Sequence, residues 1–152
     1  MLKAFLEQIL GDSEDAGAAK PAIESAAAAL LAEVALADGE LSAEETETAV
    51  NALAKALALP RSASEAAFAA AVDAHGDRVG VQDMTRMIVE QWSMEDRIAL
   101  VEALWSVSLA DAGIDPFEEH RVRHIADLLY VSHTAFIQAK RRARTRADRS
   151  SP

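Results

Sequence analysis

A chain of 152 residues, 51% of them apolar, is long enough to bury one sizeable core, and its net charge of −10 sets most of its surface against nucleic acid and anionic membranes. It has no cysteine, which excludes disulfides and thiolate metal sites. Much of the apolar half is alanine and aromatics are only 5%, so the composition predicts closely packed helices and no strand.

Leu2, Phe5, Leu6 and Ile9 are spaced as one face of a short amphipathic helix over residues 1–10. Residues 11–19, rich in Gly, Asp, Ser and Glu, read as a linker. The short helix is expected to dock back on the body; a partner- or membrane-surface helix is the competing reading, and the single lysine argues against a membrane. Pro21 suits the first turn of a long helix to about Ala37, apolar on nearly every side and therefore central. This run contains Glu33 and is too short to suggest a membrane span, so a soluble, cytoplasmic protein is expected.

Gly39 lets the chain turn, and Ser42-Ala43-Glu44-Glu45 has the pattern of a capping box. The helix it opens continues to about Leu59, where Pro60 stops it. Ser62 or Ser64 is expected to cap a helix through Phe68, Ala71 and Val72, broken at His75-Gly76-Asp77. Val81, Met84, Met87 and Ile88 mark a helix to about Trp92. Ser93 caps the next, which is apolar around most of its circumference to about Ala110. Asp115-Pro116-Phe117-Glu118 reads as a second capping box, followed by Val122, Ile125, Leu128 and Leu129. Ser132 caps a last helix through Phe136 and Ile137. The chain then turns Arg-rich, with residues 146–152 expected as a disordered tail. The fold class predicted is all-α, with a helical domain over residues 20–145 and seven main helices besides the short first one.

One stretch occurs twice. Moving 73 positions along from Ala37-Asp38-Gly39-Glu40-Leu41-Ser42 leads to Ala110-Asp111-Ala112-Gly113-Ile114-Asp115, with Asp38 on Asp111 and Glu45 on Glu118. Each copy is an apolar helix, an Asp-containing bend, a capped start and a second helix. Asp38 and Asp111 each stand at the C-terminal end of a helix, where an anion opposes the macrodipole. Either amides of the bend or a bound cation would compensate. Glu118 falls near the middle of the apolar face of its helix, where an acid must be hydrogen-bonded or paired; the capping box meets part of that need, and Arg121 lies towards the same side. If the two repeats face each other, Asp38, Glu45, Asp111 and Glu118 form one acidic cluster of oxygen ligands suited to a divalent cation. Capping and bend hydrogen bonds alone are the competing account of these four residues.

Other constellations carry less. The spacing of acids does not fit an EF-hand, since the twelfth residue from Asp111 is Val122 and from Asp38 is Ala49. His120 and His124 share a helix face with Asp127, but away from the apolar side, so solvated side chains are expected. No phosphate-binding glycine loop or nucleophile elbow is present. Up to Ile137 there are 9 basic and 24 acidic residues, whereas residues 138–152 hold six basic and one acidic. Lys140, Arg141, Arg142, Arg144 and Arg146 complement a helix C-terminus, or bind nucleic acid or an acidic partner; the lack of interleaved aromatics weakens the single-strand version.

With both bends in hand, the chain resembles the TerB tellurite-resistance family. The resemblance spans roughly residues 22–143. It is densest from Leu104-Trp105-Ser106-Val107-Ser108-Leu109-Ala110-Asp111 through Asp115-Pro116-Phe117-Glu118-Glu119-His120 to Ala126-Asp127-Leu128-Leu129. Ala112-Gly113 departs from the Asp-Gly expected at the second bend. The resemblance implies an all-α fold of two pseudo-symmetric halves and a bacterial, cytoplasmic, non-enzymatic protein linked to tellurite or other stress, acting as an interaction module for a protein partner. It also implies that Asp38, Glu45, Asp111 and Glu118 are the candidate cation positions. Two alternatives stand beside it: a binder of nucleic acid or an acidic partner through the Arg-rich tail, and a carboxylate- and metal-dependent hydrolase.

Overall fold

Among the described residues, alanine-rich segments separated by Ser, Asp, Gly and Pro form seven helices: α1 Asp12–Ala35, α2 Ala43–Leu57, α3 Arg61–Asp73, α4 Val81–Gln91, α5 Met94–Ser108, α6 Pro116–Leu128 and α7 His133–Ser150. The computed structural model describes residues 12–76, 80–110 and 115–150, and no strand occurs among them. The predicted helix over residues 1–10 lies outside the described residues, as does Asp111.

Two boundaries differ from expectation. Residues 12–19, predicted as a linker, belong to α1. The alanines of this stretch favour a helix over a linker. Pro21 accordingly sits inside α1 rather than in its first turn, where its ring removes one amide from the hydrogen-bond ladder. At the other end, α7 runs on to Ser150, through most of the stretch predicted as a disordered tail. Arginine and alanine are both strong helix formers, and Arg142 and Arg146 anchor this stretch to α5.

The core is built on α1 and α5. Ala27, Ala28, Leu30, Ala32, Val34 and Ala35 of α1 have no exposed surface, and Val101, Leu104, Trp105 and Val107 of α5 are equally enclosed. Both helices are apolar around most of their circumference, so each needs neighbours on every side. α1 contacts α2, α3, α4, α5 and α6, while α5 contacts α1, α2, α4, α6 and α7. The repeat is visible in this packing. α2 leaves α1 yet also lies on α5, and α6 leaves α5 yet also lies on α1. α3 packs on α1 as α7 packs on α5. The Trp105 ring stacks at a tilt on Phe136 of α7, centroids 5.1 Å apart, with the Lys140 ammonium 5.0 Å from its centre.

Caps follow the sequence in most places. The Ser93 hydroxyl accepts the Asp96 amide and the Ser132 hydroxyl accepts the Ala135 amide. α3 is the exception: Pro60 occupies its cap position, and neither Ser62 nor Ser64 caps it. Ser64 is fully buried and donates its hydroxyl back to the Pro60 carbonyl, 3.2 Å away. The second helix of each half ends on a non-glycine residue in the left-handed region, Ala58 (φ 53°) after α2 and Tyr130 (φ 60°) after α6.

Candidate functional site at the paired acids

The first bend is closed locally. Gly39 turns the chain with φ 86°, and the Asp38 carboxylate accepts the Glu40 amide at 3.0 Å. Asp38 is exposed, so this Asx-type bond in open solvent is reason enough for an acid at the end of α1. Immediately after it the capping box is complete. The Ser42 hydroxyl accepts the Glu45 amide at 3.0 Å, and the Glu45 carboxyl accepts the Ser42 amide at 3.0 Å.

The second capped start differs. The Asp115 carboxylate accepts the Phe117 amide at 2.8 Å and the Glu118 amide at 3.3 Å. The Glu118 carboxyl meets the Glu45 carboxyl. Both glutamates are only 2% exposed, one from each repeat. Burial pushes the Glu118 pKa up to about 9, and the hydrogen bond to Glu45 and the negative charges of Glu45, Asp38 and Asp115 push in the same direction. Two buried carboxyls in contact cannot both ionise cheaply. At neutral pH Glu118 is therefore protonated and donates its O–H to Glu45, which also takes the Ser42 amide.

The four sequence-selected acids are thus distributed as follows. Glu45 and Glu118 converge. Asp38 lies close enough for its charge to bear on Glu118, and Asp111 is outside the described residues. Among the described residues no group of three or more acids or histidines is arranged to hold a metal ion. The donors in contact are hard carboxyl oxygens, the type a divalent cation takes, but with Glu118 protonated they hold a proton in that place. Arg121, expected towards the same side as Glu118, is 3.7 Å from Glu33 of α1, which also meets His75 at 3.5 Å. His120, His124 and Asp127 are exposed.

A second acidic position escaped the sequence reading. Glu102, in the middle of α5, accepts Arg142 Nε at 2.7 Å and is also held by Arg146 Nη2. Its burial works to raise the carboxyl pKa, but the two guanidinium groups outweigh it and the pKa is lowered. Lys140 is 3.6 Å from Glu119. Part of the basic tail is therefore spent on the body's own acids. The signal for this was the spacing of Arg142 and Arg146 on one face of a helix, but their partner lies about 40 residues back.

A family model described as Tellurite resistance protein TerB matches residues 24–141. The chain belongs to the TerB family. The match begins within α1 and ends within α7, so it contains both bends, both capped starts and the glutamate pair that joins them. No curated protein and no solved structure gives a significant match to this TerB-family chain. No helix among its described residues is long and apolar enough to cross a membrane.

Proposed function

We propose that this TerB-family chain is a non-enzymatic helical interaction module of the tellurite or stress response, in the cytoplasm of a bacterium. Its acidic bends, through Asp38, Glu45, Asp111 and Glu118, serve as a divalent-cation site. The observation that carries the reading is the contact between Glu45 and Glu118, which places one carboxyl from each repeat at a shared point. A cation arriving there would displace the shared proton and engage both halves at once. A binding role is favoured over catalysis because these two glutamates are closed to solvent, with no room for a substrate to approach them.

The test is thermal unfolding with millimolar Ca²⁺, Mg²⁺, Mn²⁺ or Zn²⁺. The melting temperature is expected to rise with at least one of these ions and the rise to disappear in Asp38→Asn/Asp111→Asn. No shift with any of the four would remove the cation site and leave the interaction module standing.

A further inference from the structure

The four histidines divide into two kinds. His75 meets Glu33 at 3.5 Å, and the His133 ring centre lies 6.1 Å from that of Phe136. His120 and His124 are exposed, and among the described residues neither imidazole has a hydrogen bond, ion pair or ring contact. The charged side chains beside them are drawn elsewhere. Glu119 meets Lys140, Arg121 meets Glu33, and the Arg123 guanidinium lies 5.0 Å from the centre of the Phe136 ring. The two imidazoles are therefore the uncommitted donors in the middle of α6.

Both stand on a helix that holds them in register. Val122 and Ile125, on the opposite side of α6, have no exposed surface, so the core fixes the backbone beneath the pair. Four residues along a regular helix turn the second side chain only about 40° from the first and raise it about 6 Å, with Cβ atoms about 5–6 Å apart. Unconstrained rotamers then bring one nitrogen of each ring within the length of a metal–imidazole bond, about 2 Å, of a shared ion. We propose that His120 and His124 form a two-imidazole chelating site for Cu²⁺ or Ni²⁺ on the outer face of α6. Neutral imidazole is a borderline donor that takes such ions in preference to Mg²⁺ or Ca²⁺. No third acid or histidine joins the pair among the described residues. Two nitrogens with water in the remaining positions suit the tetragonal geometry of Cu²⁺ and Ni²⁺, whereas Zn²⁺, which seeks three or four protein donors, is served less well. Because both donors ride on one helix, the second bond forms within the molecule and strengthens the first. The site does not depend on the cation reading of the paired acids, which calls on hard oxygen donors of other residues.

The test is titration of the full chain with Cu²⁺, followed by calorimetry and by electron paramagnetic resonance. The wild type is expected to show nitrogen hyperfine splitting from two imidazoles. His120→Ala and His124→Ala should each weaken binding by about a hundredfold, since either loses the chelate. Both side chains are exposed, so the core is untouched by their truncation. Asp127 is exposed three residues beyond His124 on the same face, so His120→Ala/Asp127→His rebuilds a pair one step further along and should recover most of the affinity. Equal affinity in the wild type and both single variants, or a signal from a single nitrogen in the wild type, would overturn the proposal. Displacement of Cu²⁺ by millimolar Ca²⁺ or Mg²⁺ would overturn it too, by placing the ion on carboxyl oxygens.

Discussion

Glu118 and Glu102 are the same residue type, on adjacent helices of the same half, and both are withdrawn from solvent. Their ionisation goes in opposite directions. Glu118 faces another glutamate across the junction of the two repeats and holds its proton up to about pH 9. Glu102 faces Arg142 and Arg146 and stays ionised below the usual carboxylate range. Burial raises the pKa at both sites, so burial alone does not set the outcome. The partner does: a like group stabilises the neutral acid, and two guanidinium groups stabilise the anion. The same device, an acid on an inward helix position, thus makes a proton-holding joint in one place and an ionic clamp in another.

The largest expected effect comes from removing the proton-holding site. The folded-state pKa of Glu118 is raised above its unfolded value, so stability contributed by the neutral pair is full below about pH 4.5 and is lost progressively as pH rises towards about 9. Glu118→Gln keeps a donor for Glu45 and cannot ionise. Urea unfolding at pH 5 and pH 8 should show the wild type losing about 1–3 kcal/mol over this interval and the variant losing much less. An equal pH dependence in the two proteins would mean that Glu118 is not the group that titrates.

The ionic clamp should yield a smaller change of opposite sign. Glu102 has a depressed folded-state pKa, so its contribution is present at neutral pH and lost as pH falls below the ordinary carboxylate range. Arg142→Ala/Arg146→Ala should cost about 0.5–1 kcal/mol at pH 7 and low salt, since both arginines are half exposed, and less in high salt. A loss that persists in high salt would point to packing of the arginine stems rather than to charge.

A last effect, of comparable size, separates charge from backbone geometry. Ala58 and Tyr130 hold left-handed conformations at corresponding ends of α2 and α6, which is costly for a side chain with a Cβ. Ala58→Gly should stabilise the fold by about 0.5–1 kcal/mol, equally at pH 5 and pH 8. A pH-dependent gain would show that the α2 terminus is coupled to the acids after all.

Much of this was legible in residue order. The central positions of α1 and α5 follow from runs apolar on every side, and the caps at Ser42, Ser93, Asp115 and Ser132 follow from short polar residues placed before helices. The emphasis among the acids was not. Residue order leaves Asp38 between bend amides and a bound cation, and Glu45 with Glu118 between capping and a shared acidic cluster. Yet Asp38 is satisfied by the next-but-one amide, and the two glutamates meet across the repeats. Helical angle placed Glu118 inward but could not choose its partner: Arg121, towards the same side, lies against Glu33 instead. Ser64 misled for a related reason: a hydroxyl can cap the turn ahead or bond the carbonyl behind, and packing against its neighbours decides. The contacts of Glu102 with Arg142 and Arg146 of α7 span about 40 residues of chain, so no local pattern records them.

The cross-packing of α2 on α5 and of α6 on α1 means that each half keeps its partners in the other. The molecule behaves in this respect as two interlocked hands rather than two beads. A cut in the connection between α3 and α4 would leave the fragment carrying α4 to α7 with the bare side of α5 turned to water, and the other with α1 uncovered. Neither piece keeps a closed core, yet each carries the complement of the other, so the two fragments mixed together are expected to reassemble as a split-protein pair.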